Sequence, residues 1–145
     1  MRISPNGIAL IKKFEGCRLE SYQDQGGLWT IGVGHVGNIG PGMVITPQQA
    51  DTFLFEDLEH TQSGINCMVN VPLNQNQYDA LCSLIFNIGR GHFKDSTCLA
   101  RLNEGRYQEA ANWILPWHRI NGIENEGLLA RRTEERNLFL KPDGS

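Results

Sequence analysis

The sequence predicts a single α+β domain that is mostly helical, and three observations lead to this class. The chain has 145 residues, which is enough for one domain with a hydrophobic core and short for two. Residues 18–42 combine strand-like runs with a dense series of glycines, and from residue 47 onward apolar side chains recur at helical spacing. We therefore expect residues 1–145 to form one domain, with a small lobe over residues 13–60 and a helical lobe over residues 70–140 that also receives the N-terminal helix.

The N-terminal segment is predicted to form a helix over residues 5–15, followed by a short antiparallel sheet. Ser4 is a favourable N-cap, and Pro5 suits the first helical position, where a backbone N–H would have no partner. The apolar side chains of this helix recur on one face, at Ile8, Ile11 and Phe14. Downstream, strand-like residues on both sides of Gln25-Gly26-Gly27 indicate two strands joined by a glycine turn.

The remaining helices follow from their capping residues and apolar spacing. Thr46-Pro47-Gln48-Gln49 forms a capping box and predicts a long helix over residues 47–62 that joins the two lobes. A second strong helix begins at Asn74 and ends at Gly89 and Gly91, and we expect it to be the most buried. Three further helices are predicted, from Ser96 to Gly105, from Tyr107 to Leu115 and from Gly127 to Leu140.

Composition and charge exclude several classes of function. The 13 basic and 16 acidic residues give a net charge of -3, so no broad basic surface for nucleic acid is expected. No run approaches the roughly 18 apolar residues of a membrane span. The N-terminus lacks the apolar core and cleavage site of a secretory signal, so synthesis in the cytoplasm without a signal peptide is expected. No cofactor is expected.

The four cysteines, at positions 17, 67, 82 and 98, do not have the Cys-x-x-Cys spacing that zinc and redox sites use. Two alternatives stay open for them. They are reduced thiols, with Cys82 on an apolar helical face, or they form one or two disulfides where the protein reaches an oxidising compartment.

Glu15 is a candidate catalytic residue because it lies in the last turn of the predicted N-terminal helix. Unpaired carbonyl groups at a helix C-terminus carry partial negative charge, which disfavours a second negative charge. Phe14 adds desolvation in the same direction, so the protonated carboxyl group is favoured. A carboxylic acid that keeps its proton near neutrality can act as a general acid. The alternatives are a solvated helix-end glutamate and one paired with Arg18.

Asp24 and Thr30 are candidate partners of this acid. Asp24 lies in a polar turn, where water and nearby N–H groups favour its ionised form. Two carboxyl groups in such different environments are typical of glycoside hydrolysis. Strand alternation directs the Thr30 hydroxyl away from the side chains of its two neighbours, where it can hold a water against Asp24. Taken singly, Asp24 is also a common turn former and Thr30 a common strand residue.

Three short motifs together resemble the phage-type lysozymes, the endolysin family that includes T4 lysozyme and the lysozymes of lambdoid phages. They are Phe14-Glu15-Gly16, Tyr22-x-Asp24 and Trp29-Thr30-Ile31-Gly32-Val33-Gly34-His35. The spacing of Glu15, Asp24 and Thr30 is the one that this family uses. Further similarity covers Val71 to Leu81, Phe86 to Gly89 and Arg131-Arg132-x-x-Glu135, so it extends over essentially the whole chain, apart from the cysteines and residues 117–126.

The resemblance implies a lysozyme-like fold and hydrolysis of the β-1,4 bond between N-acetylmuramic acid and N-acetylglucosamine in peptidoglycan, with inversion at the anomeric carbon. In that scheme Glu15 protonates the glycosidic oxygen. Asp24 stabilises positive charge and orients a water, which Thr30 holds. Inversion needs room for this water, so carboxyl groups about 6.5–9.5 Å apart are expected.

Further site residues are implied by the same resemblance. Gly34, Phe86 and Asn87 fall at positions that line the saccharide cleft, although Phe86 also suits the apolar core of its helix. Either Arg131 or Arg132 is expected to reach toward the catalytic glutamate or the muropeptide. The alternative for these arginines is a solvated helix face.

His35 is expected to be a structural residue. The resemblance implies a charge pair with an acid on the connecting helix, and Asp57 is the predicted partner. Because no second ligand stands at metal spacing, no metal site is expected.

The expected partners are the glycan strands of peptidoglycan, and the protein is expected to act as a monomer. The enzyme would wait in the host cytoplasm and act on the periplasmic wall after release through a holin-like pore. Two other functions stay open. One is a lytic transglycosylase of the same fold class, which acts with a glutamate alone and would not need Asp24 and Thr30. The other is a non-catalytic protein that binds peptidoglycan.

Overall fold

The computed structural model of the chain describes residues 1–143 as seven helices and four short strands. In chain order they are α1 (Pro5–Glu15), β1 (Arg18–Gln23), β2 (Trp29–Gly32), α2 (Pro47–Met68), α3 (Gln75–Ile88), α4 (Arg90–Lys94), α5 (Thr97–Asn103), α6 (Tyr107–Asn112), β3 (Arg119–Ile120), β4 (Ile123–Glu124) and α7 (Glu126–Leu140). The strands form two antiparallel hairpins, β1 with β2 and β3 with β4. The predicted class, α+β and mostly helical with a short antiparallel sheet, is confirmed. Over residues 1–143, no helix combines the length and apolar character that a membrane crossing needs.

The main hydrophobic core surrounds α3. Every residue from Tyr78 to Ile85 is buried, because α1, α2 and α7 all pack against this helix. A helix that is buried around most of its circumference needs apolar residues on more than one face, as the run at Leu84 and Ile85 provides. Large apolar side chains from the other helices complete this core, among them Ile65, Phe93, Leu102 and Phe139.

Asp79 ties the N-terminus of α1 to α3. Its buried carboxylate accepts hydrogen bonds from the backbone N–H of Ser4, at 2.9 Å, and from the Ser4 hydroxyl. Gly7 allows the close approach of the two helices, since a Cβ at this position would lie 2.8 Å from Asp79 Cγ. These contacts set the direction of α1 and therefore the position of Glu15 at its C-terminal end.

Two small apolar clusters join the first hairpin to α2. One contains Ile31, Ile45 and Ala50, and the other, shared with α1, contains Ile11, Val33, Leu54 and Leu58. Within the hairpin, Tyr22 of β1 stands opposite Thr30 of β2. Because α2 also contributes Ile65 to the main core, this one helix packs in both lobes.

Two helix boundaries and one short helix differ from the prediction. α2 continues past residue 62 to Met68, because Gly64 and Ile65 stay buried against the helical lobe. α3 ends at Ile88 with Gly89 as its C-cap, in agreement with the predicted stop at Gly89, whereas Gly91 lies inside the short helix α4, which the sequence did not predict. α6 ends at Asn112 instead of residue 115 and continues as turns before Pro116.

The β3–β4 hairpin was not predicted. Its turn residues, Asn121 and Gly122, have φ angles of 52° and 80°. This left-handed region suits asparagine and glycine, and an Asn-Gly pair between strand-forming residues is a strong local signal for a two-residue hairpin turn. Ile120 and Ile123 flank the pair and stand opposite each other. The local signal was therefore present in the sequence.

The four cysteines are free thiols in two classes of exposure. Cys17 and Cys67 are exposed, whereas Cys82 and Cys98 are buried. Burial raises the pKa of the Cys98 thiol to about 12 and also raises that of Cys82, so both stay in the unreactive thiol form.

We expect a thiol-exchange reagent at mildly alkaline pH to label Cys17 and Cys67 rapidly in the native protein. Cys82 and Cys98 should react only after denaturation, because they are both buried and un-ionised. Mass spectrometry of the labelled protein counts the modified thiols in each state. Rapid labelling of all four cysteines without denaturant would contradict this placement.

Candidate active site

A cleft of about 690 Å³ lies between the β1–β2 turn and the helical lobe. Its walls come from the C-terminal end of α1, from β1 and its turn, from the end of α3, from the β3–β4 hairpin and from α7. The side chain of Asn125, which caps α7, donates a hydrogen bond to the Gln25 side chain in the β1–β2 turn. The two walls are therefore in direct contact through these side chains.

Glu15 is the last residue of α1, and its side chain, 17% exposed, lines this cleft. Arg131 Nη1 donates to Glu15 Oε2 at 2.5 Å. Gly34 lies next to the other carboxyl oxygen, since a Cβ at Gly34 would be 2.5 Å from Glu15 Oε1. The carboxyl group is thus held in one orientation between a guanidinium group and a glycine backbone.

Asp24 occupies the turn between β1 and β2 and lines the same cleft. Its Oδ1 accepts hydrogen bonds from the backbone N–H groups of Gly26, at 2.9 Å, and Leu28, at 2.8 Å. Both donors fix the orientation of the carboxyl group, and the residue is exposed to water. The cleft therefore contains two carboxyl groups in contrasting surroundings, one beside an arginine in a half-buried position and one solvated in a turn.

Thr30 lies in β2 and is only 4% exposed. Its hydroxyl donates to the Leu28 carbonyl at 2.9 Å, which leaves the oxygen lone pairs as acceptors. It is on the strand next to Tyr22, which lines the cleft, but Thr30 itself is not among the lining residues. Any contact with a water in the cleft would have to be made by the hydroxyl oxygen as an acceptor.

The structure separates the two arginines that the sequence left as alternatives. Arg131 lines the cleft and contacts Glu15. Arg132 has no exposed surface and points into the protein, where it pairs with Glu135. Its expected place as a substrate contact is therefore wrong, because adjacent residues of a helix point about 100° apart and the packing of α7 on α3 directs Arg131 to the cleft.

Of the other residues predicted to line the cleft, some contact it and one packs in the protein interior. Asn87, at the end of α3, is exposed and lines the cleft. Phe86 is half-buried and packs on the cluster around Ile11 and Leu58, which corresponds to the core alternative and not to a saccharide contact. Gly34 acts at the site through its close approach to Glu15.

His35 lies on the side of the small lobe that faces α2. Its Nδ1 is 2.8 Å from Asp57 Oδ2, and its ring stacks on Phe53 with a centroid distance of 4.1 Å. The side chains of His35 and Asp57 are 15% and 31% exposed. These contacts join the glycine-rich segment to α2, so they support a structural place for His35.

We expect His35→Asn to lower the free energy of unfolding by about 1–2 kcal/mol, because it removes the Asp57 contact and the stacking on Phe53. The rate of the peptidoglycan hydrolysis that the family resemblance implies should change little at a temperature where the variant is folded. Chemical denaturation and a turbidity assay measure the two quantities. A collapse of the rate at unchanged stability would instead make His35 a catalytic residue.

Sequence reasoning missed several cleft residues. Trp117, His92 and Arg119 line it without standing in any recognised motif. Tyr22 was part of a motif but had no assigned place. Burial raises the pKa of its hydroxyl, and the charge of Glu15 acts in the same direction, so Tyr22 presents a neutral hydrogen-bonding group to the cleft.

If Glu15 is the acid that the sequence predicts, Gly34→Ala should reduce lysis by about a hundredfold, the effect of a displacement of about 1 Å at such a group. Gly34 has a φ of 62°, which strains any residue with a Cβ, and the new methyl group would displace the Glu15 carboxyl. The matched control is Gly42→Ala, because its φ of 77° brings similar backbone strain while a Cβ there meets no atom within 4 Å. Equal activity of the two folded variants would show that the contact with Glu15 does not matter.

A paired-carboxyl cleft in a small, mostly helical domain is the arrangement expected of a glycoside hydrolase. Residues 12–135 match the family described as Phage lysozyme. The endolysin of Salmonella phage P22 is 50% identical to this chain over 145 residues, which cover 97% of the chain and 99% of that protein. The endolysin of Acyrthosiphon pisum secondary endosymbiont phage 1 is 46% identical, with 96% and 98% covered.

Solved structures agree with these relatives. A crystal structure of a P22 lysozyme mutant has a TM-score of 0.81 at 48% identity, covering 97% of this chain and 99% of that one. The muramidase domain of SpmX from Asticaccaulis excentricus has a TM-score of 0.87 at 42% identity, with the same coverage. The chain therefore belongs to the phage lysozyme family.

Proposed function

We propose that this protein is an endolysin that hydrolyses the β-1,4 bond between N-acetylmuramic acid and N-acetylglucosamine in bacterial peptidoglycan, with inversion. The observation that carries the proposal is the presence of Glu15 and Asp24, from different elements, in one cleft. The relatives named as endolysins, at up to 50% identity over nearly the whole chain, support the same activity. Lysis of the host cell would follow from loss of the wall.

Glu15 is proposed as the general acid. Bond cleavage needs a proton on the glycosidic oxygen, which is a poor leaving group as an alkoxide. The carboxyl group lies at the C-terminal end of α1, and Arg131 Nη1 donates to one of its oxygens, so the group is held in one orientation within the cleft.

Asp24 is proposed to act in the charged form. As the glycosidic bond breaks, positive charge develops on the sugar ring, and a carboxylate on the opposite side of the bond from the acid stabilises it. The same carboxylate orients the attacking water and accepts its proton. Thr30 is proposed to hold this water through the acceptor lone pairs of its hydroxyl.

Inversion follows if a water lies between Asp24 and the anomeric carbon. Carboxyl groups about 6.5–9.5 Å apart leave room for that water, whereas a separation of about 5–5.5 Å permits direct attack by the carboxylate. Asp24 is exposed, so water has access to its carboxylate in the open cleft.

The proposal is tested by digestion of purified sacculi and chromatography of the released muropeptides. Hydrolysis gives reducing N-acetylmuramic acid ends. An anhydro-muramic acid end would instead identify a lytic transglycosylase and overturn the assignment. Intact sacculi in the presence of folded protein would indicate a non-catalytic wall-binding protein. For the stereochemistry, NMR of a soluble fragment early in the reaction distinguishes the inverted α-anomer from the retained β-anomer.

The route to the wall is part of the proposal. We infer that the enzyme acts as a monomer on the periplasmic wall after release through a holin-like pore, as expected for a phage lysis protein. Expression in bacteria with and without a pore-forming membrane protein tests the route, since lysis should depend on the pore. Light scattering during size-exclusion chromatography tests the monomer. Prompt lysis without a pore would overturn the inferred route.

A further inference from the structure

A buried polar cluster lies directly behind the pair of Glu15 and Arg131. It consists of Ser83 on α3 and of Arg131, Arg132 and Glu135 on α7, and is called the Glu135 cluster below. Glu135 and Arg132 have no exposed surface, and Arg131 is 3% exposed. Buried charges are costly unless they are paired, so each member of the cluster needs its partners.

Hydrogen-bond donors converge on the Glu135 carboxyl group. Its Oε2 accepts from Ser83 Oγ at 2.5 Å, from Arg131 Nε at 3.2 Å and from Arg132 Nη2 at 3.1 Å. Its Oε1 lies 2.7 Å from Arg132 Nε in a close ion pair that is not aligned as a hydrogen bond. A guanidinium group can only donate, so the two carboxyl oxygens that face the arginines are placed as acceptors. Burial raises the pKa of Glu135, and the two arginines and Ser83 oppose this effect.

The guanidinium group of Arg131 is shared among three partners. Nε contacts Glu135, Nη2 donates to the Ser83 carbonyl at 3.1 Å, and Nη1 donates to Glu15. The contacts with Glu135 and with the Ser83 carbonyl determine where the guanidinium group of Arg131 points. Glu15 is the partner at the cleft, so its carboxyl group is oriented by a group whose own position depends on Glu135.

The charge of the cluster also depends on Glu135. Arg131 and Arg132 bring two positive charges, and Glu135 offsets one of them. Without that carboxylate, Glu15 would face two uncompensated cations, which favour its deprotonated form. A general acid must carry its proton when the substrate binds.

We propose that Glu135 is a positioning residue of the active site, which holds the Arg131 guanidinium in place and offsets its charge, so that Glu15 is oriented for proton transfer and does not face two uncompensated cations. This inference rests on the proposed function of Glu15 as the acid. Glu135 acts through Arg131 and does not contact the cleft.

The other titratable or charged groups near the Glu135 cluster are either neutral or in contact with partners of their own. On α3, the thiol of Cys82 stays neutral because burial raises its pKa. Lys13 of α1 pairs with the exposed Glu134, and Arg136 is held by Asn112 at the end of α6. Beyond Glu15, β1 contributes the neutral hydroxyl of Tyr22 and Arg18, whose guanidinium lies over the Tyr22 ring.

The test is Glu135→Gln, measured as the pH dependence of the initial rate of wall lysis. Glutamine keeps the size and one acceptor oxygen of the side chain, removes the charge, and turns its amide NH2 toward Arg132 Nε, where Oε1 lies in the wild type. Glu15 should then lose its proton at lower pH, so the alkaline limb of the profile should move down by about one pH unit, with wall binding unchanged. The matched control is Glu134→Gln, which removes the charge of the neighbouring exposed glutamate and should leave the limb in place.

Glu135→Asp keeps the proposal testable if the glutamine variant does not fold. Aspartate retains the charge but has a shorter reach, so the midpoint of the alkaline limb should stay while the maximal rate falls about tenfold through lost positioning. A folded Glu135→Gln variant with the wild-type limb and rate would overturn the proposal, as would a Glu135→Asp variant with a shifted limb. The proposed function fails separately, if the wild-type enzyme releases no reducing muramic acid ends from sacculi.

Discussion

Replacement of Glu15 by glutamine is expected to lower the rate of wall lysis by about a thousandfold, the range of a lost general acid. The amide is nearly isosteric with the carboxyl group, and its oxygen can still accept a hydrogen bond from Arg131 Nη1. It cannot transfer a proton to the glycosidic oxygen. The initial rate of turbidity loss from purified sacculi measures the effect.

The fold of this variant is expected to survive. The change should cost about 1–2 kcal/mol in the free energy of unfolding, because the contact with the Arg131 guanidinium is weakened but its hydrogen bond can still form to the amide oxygen. Glu20→Gln is the matched control, since Glu20 is exposed on β1 and does not line the cleft. A folded Glu15→Gln variant with the wild-type lysis rate would remove Glu15 from the mechanism.

Replacement of Asp24 by asparagine is expected to slow turnover by about a hundredfold or more, the range of a lost electrostatic stabiliser. The substitution isolates the charge. Asparagine keeps the side-chain oxygen that accepts from the N–H groups of Gly26 and Leu28, so the turn should keep its shape. What is lost is the negative charge that stabilises the sugar cation and accepts the proton of the water.

Binding and turnover should therefore separate in this variant. Co-sedimentation with sacculi should be close to that of the wild type, while the turbidity assay reports the lost rate. Asp51→Asn, on the exposed surface of α2, serves as the control for removal of one negative charge. Unimpaired turnover in Asp24→Asn would show that the charge takes no part in the reaction.

The helices that the sequence predicts well are those whose signals are local. The Ser4 cap, the Thr46–Gln49 capping box and the Asn74–Gln77 capping box are all present, because each involves side chains and N–H groups within one helical turn. The β3–β4 hairpin has an equally local signal in Asn121 and Gly122, whose positive φ angles form its turn. The extension of α2 to Met68 has no such signal, since burial of Gly64 and Ile65 by other helices maintains it.

In the candidate site, too, some features follow from local sequence motifs and others depend on tertiary packing. The motifs around Glu15 and Asp24 nominate both carboxyl groups, and both line one cleft. Phe86 and Arg132 share motifs with cleft residues yet pack inside the protein. A motif specifies which residue types occur at a spacing, but the direction of each side chain depends on how its element packs.

The chain's own residue pattern determined the class of fold, the family resemblance and the candidate acid, because caps, periodicity and motifs act over a few neighbouring positions. Only the tertiary structure decided that Arg131, 116 residues from Glu15, is the arginine that contacts it, and that Glu135 lies behind that arginine. The physical reason is that these contacts require α7 to pack on α3 with one rotation about its axis, and that rotation is set by the whole buried core.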